Sequence, residues 1–159
     1  MSKPGSGRGR VGSKGVSIGT RLKQSDLDYV KNKNYIEDGP REFLAGRILQ
    51  DALNQMKLDS NAEGFIMRDA KGNPIGAISY YPSKEGGAFS INFLGSDQTV
   101  KGTGTTLMKK VAKVAAKKNA GLTLESDFSA AGFYTKLGFS TTNGDVFTMS
   151  PSQTKAFAK

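Results

Sequence analysis

Thr99-Val100-Lys101-Gly102-Thr103-Gly104-Thr105-Thr106-Leu107-Met108 is the stretch that decides the fold of this chain. A strand-like run, Phe89-Ser90-Ile91-Asn92-Phe93-Leu94, precedes it, and a helix-forming segment follows. The two glycines remove Cβ atoms where a ligand can approach the backbone. The first helical turn leaves unpaired N–H groups, and the positive end of the helix dipole, at that same spot. Such a turn suits an anion, in particular a nucleotide pyrophosphate. The competing reading is a tight strand-to-helix connection with no ligand. A Rossmann dinucleotide fold does not fit, because Leu107 stands where its third glycine belongs.

Composition narrows the chemistry. The chain has 159 residues, enough for one domain with a real core. There is no apolar run of membrane-spanning length, and no hydrophobic segment follows the basic N-terminus, so neither a membrane span nor a secretory signal is expected. The absence of cysteine removes disulfides and thiol nucleophiles and fits a reducing compartment. The absence of histidine is more restrictive. It excludes Ser-His and Cys-His catalysis and the usual zinc sites, so no metal is expected. Proton transfer falls to Tyr, Lys, Asp, Glu, the backbone or water.

The net charge is +9, and it is unevenly placed. Lys3, Arg8, Arg10, Lys14, Arg21 and Lys23 all precede the first acid, Asp26. Residues 1–15 read as a flexible basic arm of Gly, Ser, Lys and Arg with no apolar pattern. One reading of the arm is a solubilising tail, the other a tether to nucleic acid or an acidic partner. It carries no aromatic residue to stack on bases, so contact with nucleic acid would be phosphate-based and sequence-blind.

Beyond the arm, periodicity predicts a first strand over Val16–Leu22 and a short helix N-capped by Ser25 and running to Lys33. A longer helix follows over Arg41–Lys57, with Leu44, Ile48, Leu49, Ala52, Leu53 and Met56 at helical spacing. Gly64–Asp69 and Pro74–Tyr81 read as a hairpin around Ala70-Lys71-Gly72-Asn73. In the strand Ala88–Leu94, Phe89, Ile91 and Phe93 alternate with Ser90 and Asn92, which predicts one apolar and one polar face. The helix after the glycine turn runs to Lys118 with Leu107, Met108, Val111, Val114 and Ala115 as its buried stripe. Lys109, Lys110, Lys113 and Lys117 fall opposite, an ordinary solvated face. Asn119-Ala120-Gly121 ends that helix. Leu122–Glu125 is a strand, Ser129–Leu137 a helix stopped by Gly138, and Phe139–Thr142 with Val146–Ser150 a closing hairpin around Asn143-Gly144-Asp145. The order is β-α-α-β-β-β-α-β-α-β-β, an α/β (α+β) mixed sheet with helices on both faces in one domain over 16–150, leaving 151–159 as a C-terminal tail.

These elements, the strand–Lys101-Gly102-Thr103-Gly104–helix unit, and the segment Leu122–Phe139 together resemble the GNAT superfamily of acyl-CoA-dependent N-acyltransferases. The resemblance covers Val16 to Ser150. Its most specific part is the ending Ala130-x-x-Phe133-Tyr134-x-x-Leu137-Gly138-Phe139. It implies acetyl-CoA as co-substrate, lying in a V-shaped opening between the fourth and fifth strands. The Leu94 backbone N–H would then bind the thioester carbonyl and stabilise the oxyanion. The N–H groups of Lys101, Gly102, Thr103, Gly104 and Thr105 would cradle the pyrophosphate, with the Thr105 hydroxyl assisting. Tyr134 would protonate the departing thiolate; its other reading is core packing beside Phe133.

The chain departs from the family pattern in two places. Thr99 stands where the family usually carries Arg or Gln, with Gln98 one place off. No general base stands out: Glu125, Asp97 and Asp127 are the carboxylates within reach, and Ser90 and Asn92 are placed to orient a water instead. The leading expectation is an acetyl-CoA-dependent N-acetyltransferase acting by direct attack of an amine acceptor. The alternative is a catalytically weak or inactive GNAT-fold component of a larger assembly, such as a phage assembly, or a homo-oligomer, with the arm on nucleic acid or an acidic partner. The expected location is the cytoplasm, or the virion and host cytoplasm for a phage protein.

Overall fold

The computed structural model describes residues 15–33, 41–126, 130–141 and 144–159, with backbone alone for 41–45. Its elements are β1 (Ser17–Gly19), α1 (Gln24–Asn32), α2 (Arg41–Leu58), β2 (Glu63–Arg68), β3 (Pro74–Tyr81), β4 (Ala88–Ser96), α3 (Thr103–Lys117), β5 (Gly121–Glu125), α4 (Ala131–Leu137), β6 (Ser140–Thr141), β7 (Val146–Met149) and α5 (Pro151–Ala158). The arm over 1–14, the loop 34–40, Asp127, the expected start of α4 at Ser129 and the turn residue Asn143 lie outside the described residues.

One mixed sheet runs in the order β1-β2-β3-β4-β5-β7-β6. β4 and β5 are parallel, whereas the pairs on either side of them are antiparallel. β3 explains the two-layered core. It is buried from Pro74 to Tyr80, so both of its faces are covered and its sequence is almost continuously apolar. One face packs under α3 and α5, with Phe89, Leu107, Met108, Val111 and Leu122 at the centre. The other packs under α1 and α2, through Val30, Leu49, Leu53, Ile66 and Ala77. On this second face the Ser79 hydroxyl donates to Gln55 Oε1 at 2.6 Å, Gln55 Nε2 donates to the Tyr81 hydroxyl at 3.2 Å, and Tyr81 donates to Asp59. No helix among the described residues is long and apolar enough to cross a membrane.

Four expectations are corrected. The N-cap of α1 is Lys23 and not Ser25: the Asp26 carboxylate accepts from the Lys23 N–H at 2.8 Å. Arg68 of β2 holds that carboxylate in place, so the ion pair outcompetes the Ser25 hydroxyl for the helix start. Phe93 does not share a face with Phe89 and Ile91; it packs with the α2 cluster, because a bulge at Asn92 shifts the alternation by one. In α3 it is Ala112 that is buried, while Val114 is only partly so. Finally, Pro151–Ala158 is a helix and not a tail. Ser150 accepts from the Gln153 N–H at 3.1 Å, and the Gln153 side chain accepts from the Ser150 N–H at 2.8 Å, a capping box with Pro151 in the first turn.

Two features fix the ends of α3. Gly76 of β3 lets the helix start lie on the sheet, since a Cβ there would collide with Thr103 Cγ2. At the far end Asn119 takes φ 52°, while the Ala120 N–H reaches Ala115 O at 2.9 Å and the Asn119 N–H reaches Ala116 O at 3.0 Å. That is a Schellman closure, as the Asn-Ala-Gly signal predicts.

Candidate active site

β4 and β5 run together from Ala88↔Gly121 to Ile91↔Leu124 and then part. From Asn92 to Ser96, β4 keeps β3 on one side and has no strand partner among the described residues on the other. The register slip that accompanies the parting leaves Asn92 as the extra residue of a bulge, since Ser79 faces Phe93 while Tyr80 faces Ile91.

The hydrogen-bond alternation then fixes where Leu94 points. The Asp97 N–H donates to Ile75 O at 2.9 Å. In an antiparallel ladder the bonded pairs alternate, so Gly95↔Ala77 and Phe93↔Ser79 are bonded and Leu94↔Ile78 is not. The N–H and C=O of Leu94 therefore face away from β3, toward the side that β5 has left open.

The glycine turn lies at the mouth of this opening. Gly102, at φ 82°, is the N-cap of α3, and a Cβ added there would meet nothing within 4 Å. Among the described residues, no acceptor takes up the N–H groups of Lys101, Gly102, Thr103, Gly104 and Thr105. Two of the neighbouring hydroxyls serve the turn itself: Thr103 Oγ1 donates to Val100 O at 2.7 Å and Thr106 Oγ1 to Gly102 O at 3.0 Å. Gly104 has a role the sequence reading missed. A Cβ on it would lie 3.2 Å from Phe133 Cζ and 3.8 Å from Leu94 Cδ2, so Leu94, the helix start and Phe133 of α4 meet here. The paired small residues of the turn were the signal for such a close approach.

Tyr134 follows Phe133 on α4, with the two rings 5.1 Å apart and edge-on. Phe139 and Phe147 stand 5.8 and 5.9 Å from the Tyr134 ring, so the ring is held on three sides. Gly138, at φ 106°, closes α4 and lets Phe139 turn back into this cluster.

The remaining residues sort by their partners. Asp97 Oδ1 accepts from the Thr99 N–H at 3.0 Å and the Thr99 hydroxyl at 2.6 Å, so Asp97 and Thr99 hold each other and shape the loop. Between them Gln98 takes φ 64°. Glu125 ends β5 opposite Val146 and is exposed. Ser90 pairs with Tyr81 on one side and Thr123 on the other, below the parting. Asn92 Nδ2 is buried and has no hydrogen-bond partner among the described residues. A small cleft beside β1, lined by Val16, Ile18, Met67, Val100, Lys101, Thr103 and Thr106, adjoins the glycine turn. Among the described residues no cluster of acids is arranged to hold a metal ion.

Comparison with known proteins adds the family. The family model for the acetyltransferase (GNAT) domain matches residues 28–150. Comparison with curated proteins gave no match. Among solved structures, an acetyltransferase of the GNAT family from Desulfovibrio desulfuricans aligns over 86% of this chain and 99% of its own, at 15% identity and a TM-score of 0.63. The PaiA N-acetyltransferase of Thermoplasma acidophilum, solved with coenzyme A, aligns over 84% and 96%, at 18% identity and a TM-score of 0.56. AtaTR bound with acetyl-CoA aligns over 91% and 98%, at 15% identity and a TM-score of 0.65. At these identities the structures speak for the fold, and the family rests on the domain match: the chain belongs to the GNAT acetyltransferase family.

Proposed function

We propose that this protein is an acetyl-CoA-dependent N-acetyltransferase that passes the acetyl group directly to an amine in the opening between β4 and β5. The observation that carries this reading is the parting of the two strands after Ile91↔Leu124, with the Leu94 N–H directed into it and the start of α3 at its mouth. The residues present fit the cosubstrate. The space beyond Gly102 is open, and five consecutive N–H groups there have no protein acceptor among the described residues. Acetyl-CoA supplies an acyl group activated as a thioester.

The roles of the chain follow from its donors. The N–H groups of Lys101 to Thr105 donate to the diphosphate, assisted by the Thr105 hydroxyl and the dipole of α3. This anchoring is carried by the backbone, because the Thr99 hydroxyl is engaged by Asp97. The Leu94 N–H donates to the carbonyl oxygen and stabilises the charge that develops on it. Tyr134 gives its proton to the departing thiolate. The amine loses its proton to water ordered by Ser90 and Asn92, or to Glu125. No covalent enzyme intermediate is required, which suits a chain without cysteine or histidine.

The lack of cysteine also makes the test clean, because a thiol-trapping dye sees only released CoA. The full chain is incubated with acetyl-CoA and a panel of small amines, peptide N-termini and lysine peptides. Release that depends on an amine supports the reading. Tight acetyl-CoA binding with no release across the panel favours a non-catalytic GNAT-fold binding component, and no binding at millimolar cosubstrate overturns both.

A further inference from the structure

The outer face of α3 and α5 carries charge that the active site does not use. Lys109, Lys113, Lys117 and Lys110 fall within one sector of about 100° around α3, opposite the buried stripe centred on Leu107, Val111 and Ala115. α5 packs beside α3 and adds Lys155 and Lys159, one turn apart and exposed. Lys109 Nζ lies 5.6 Å from the centre of the Phe157 ring, which ties the two lysine rows into one surface. No Asp or Glu occurs between Gln98 and Leu124, or from Val146 to Lys159. None of these lysines has an ion-pair partner among the described residues.

We propose that this face binds the phosphate backbone of a nucleic acid duplex. Uncompensated lysines in two adjoining rows meet repeating negative charge, whereas a merely solvated face ordinarily interleaves both signs. α3 is buried along its inner side, so it lies against the duplex and does not enter a groove, and contact is independent of sequence. The face offers the half-buried Phe157, over which Lys109 lies, and no row of rings for successive unpaired bases to stack on, which favours a duplex over a single strand. No large apolar side chain stands out from it to enter a bilayer, since among the described residues the exposed large hydrophobics, Ile48 and Leu58, are both on α2.

The test uses fluorescence anisotropy with the full chain and short DNA and RNA duplexes of unrelated sequence. Binding is expected to be indifferent to sequence and to weaken by roughly 10³-fold between 50 and 200 mM salt. The variant Lys110→Glu/Lys113→Glu/Lys117→Glu is expected to lose most of this affinity and to flatten the salt slope by about 0.9 per contact removed. Its acetyl-CoA binding should match the parent, which shows that it is folded. Full affinity in this variant assigns the binding to the basic arm and overturns the proposal. Absence of binding at 50 mM salt, or preferential capture by anionic phosphatidylserine vesicles, overturns it equally. The DNA and RNA arms then say which duplex is preferred.

Discussion

At the scale of single residues, Tyr134 and Asn92 separate chemistry from packing. Tyr134 is gripped by three aromatic rings, so removing its hydroxyl leaves the ring's aromatic packing in place. Tyr134→Phe is therefore expected to bind acetyl-CoA equally well, while its turnover falls by about 10²-fold, the usual contribution of a positioned acid. Parallel binding and turnover assays check this, and unchanged turnover would reduce Tyr134 to a packing residue. Asn92 makes the opposite case. A buried donor without a partner costs about 1–3 kcal/mol, so Asn92→Leu, of similar shape, is expected to raise stability by about 1 kcal/mol. If the carboxamide orders the amine or its water, the same change slows turnover. A gain in stability with full activity would show the orphaned donor to have no part in the reaction.

Among elements, the join between α1 and β2 is the most electrostatic. Asp26 is buried with 2% exposure and accepts from both ends of the Arg68 guanidinium, one of these contacts at 2.7 Å, as well as from the Lys23 N–H. Arg68 also donates to Arg21 O at 2.8 Å, so a single side chain of β2 holds the approach to α1 and its first turn. Burial by itself raises the Asp26 pKa, but the bonds from Arg68 and Lys23 and their charges outweigh it, and the carboxyl is held below its ordinary value. The sign follows: the pair contributes fully above the unfolded-state value of about 3.9 and is lost as pH falls through the lower folded value. Asp26→Asn leaves Arg68 largely buried without its counter-charge and is expected to cost about 3 kcal/mol near neutral pH. Urea titrations of parent and variant from pH 7 to pH 2 should show the gap constant down to about pH 4 and narrowing below it. A gap that does not change with pH would mean that packing, and not charge, joins these elements.

Taken whole, the molecule was legible in its sequence wherever one local rule governed several residues. The bounds of β3 at Pro74 and Tyr81, the αL stops at Asn119 and Gly138, and the glycine turn leading into α3 all follow from neighbours a few positions apart. What escaped depends on distant partners or on brevity. Ser25 looked like the better cap because Arg68, which decides the matter, lies 42 residues from Asp26. The bulge at Asn92 is set by β3 and by the departure of β5, neither of which the Phe89-Ile91-Phe93 alternation reports. α5 buries only Thr154 and Ala158 fully, too little periodicity to announce a helix beyond its Ser150-Pro151-Ser152-Gln153 cap. The candidate site shares this division: the glycine turn into α3 reads directly from sequence, while the aim of the Leu94 N–H emerges only from the ladder. That difference gives a prediction for the whole fold. A ligand bound only to the native state at a hundred times its Kd stabilises by about 2.7 kcal/mol. For a domain of this size that corresponds to a rise in Tm of about 5–10 °C. Acetyl-CoA and CoA are both expected to give such a rise in a melting scan, because both carry the diphosphate that we propose the Lys101–Thr105 amides bind. Pantetheine, which reaches the strand opening but lacks that diphosphate, should raise Tm far less at equal concentration. Equal shifts from CoA and pantetheine would place the anchoring in the strand opening and not in the turn, and a flat response to all three would remove the turn's claim to an anion altogether.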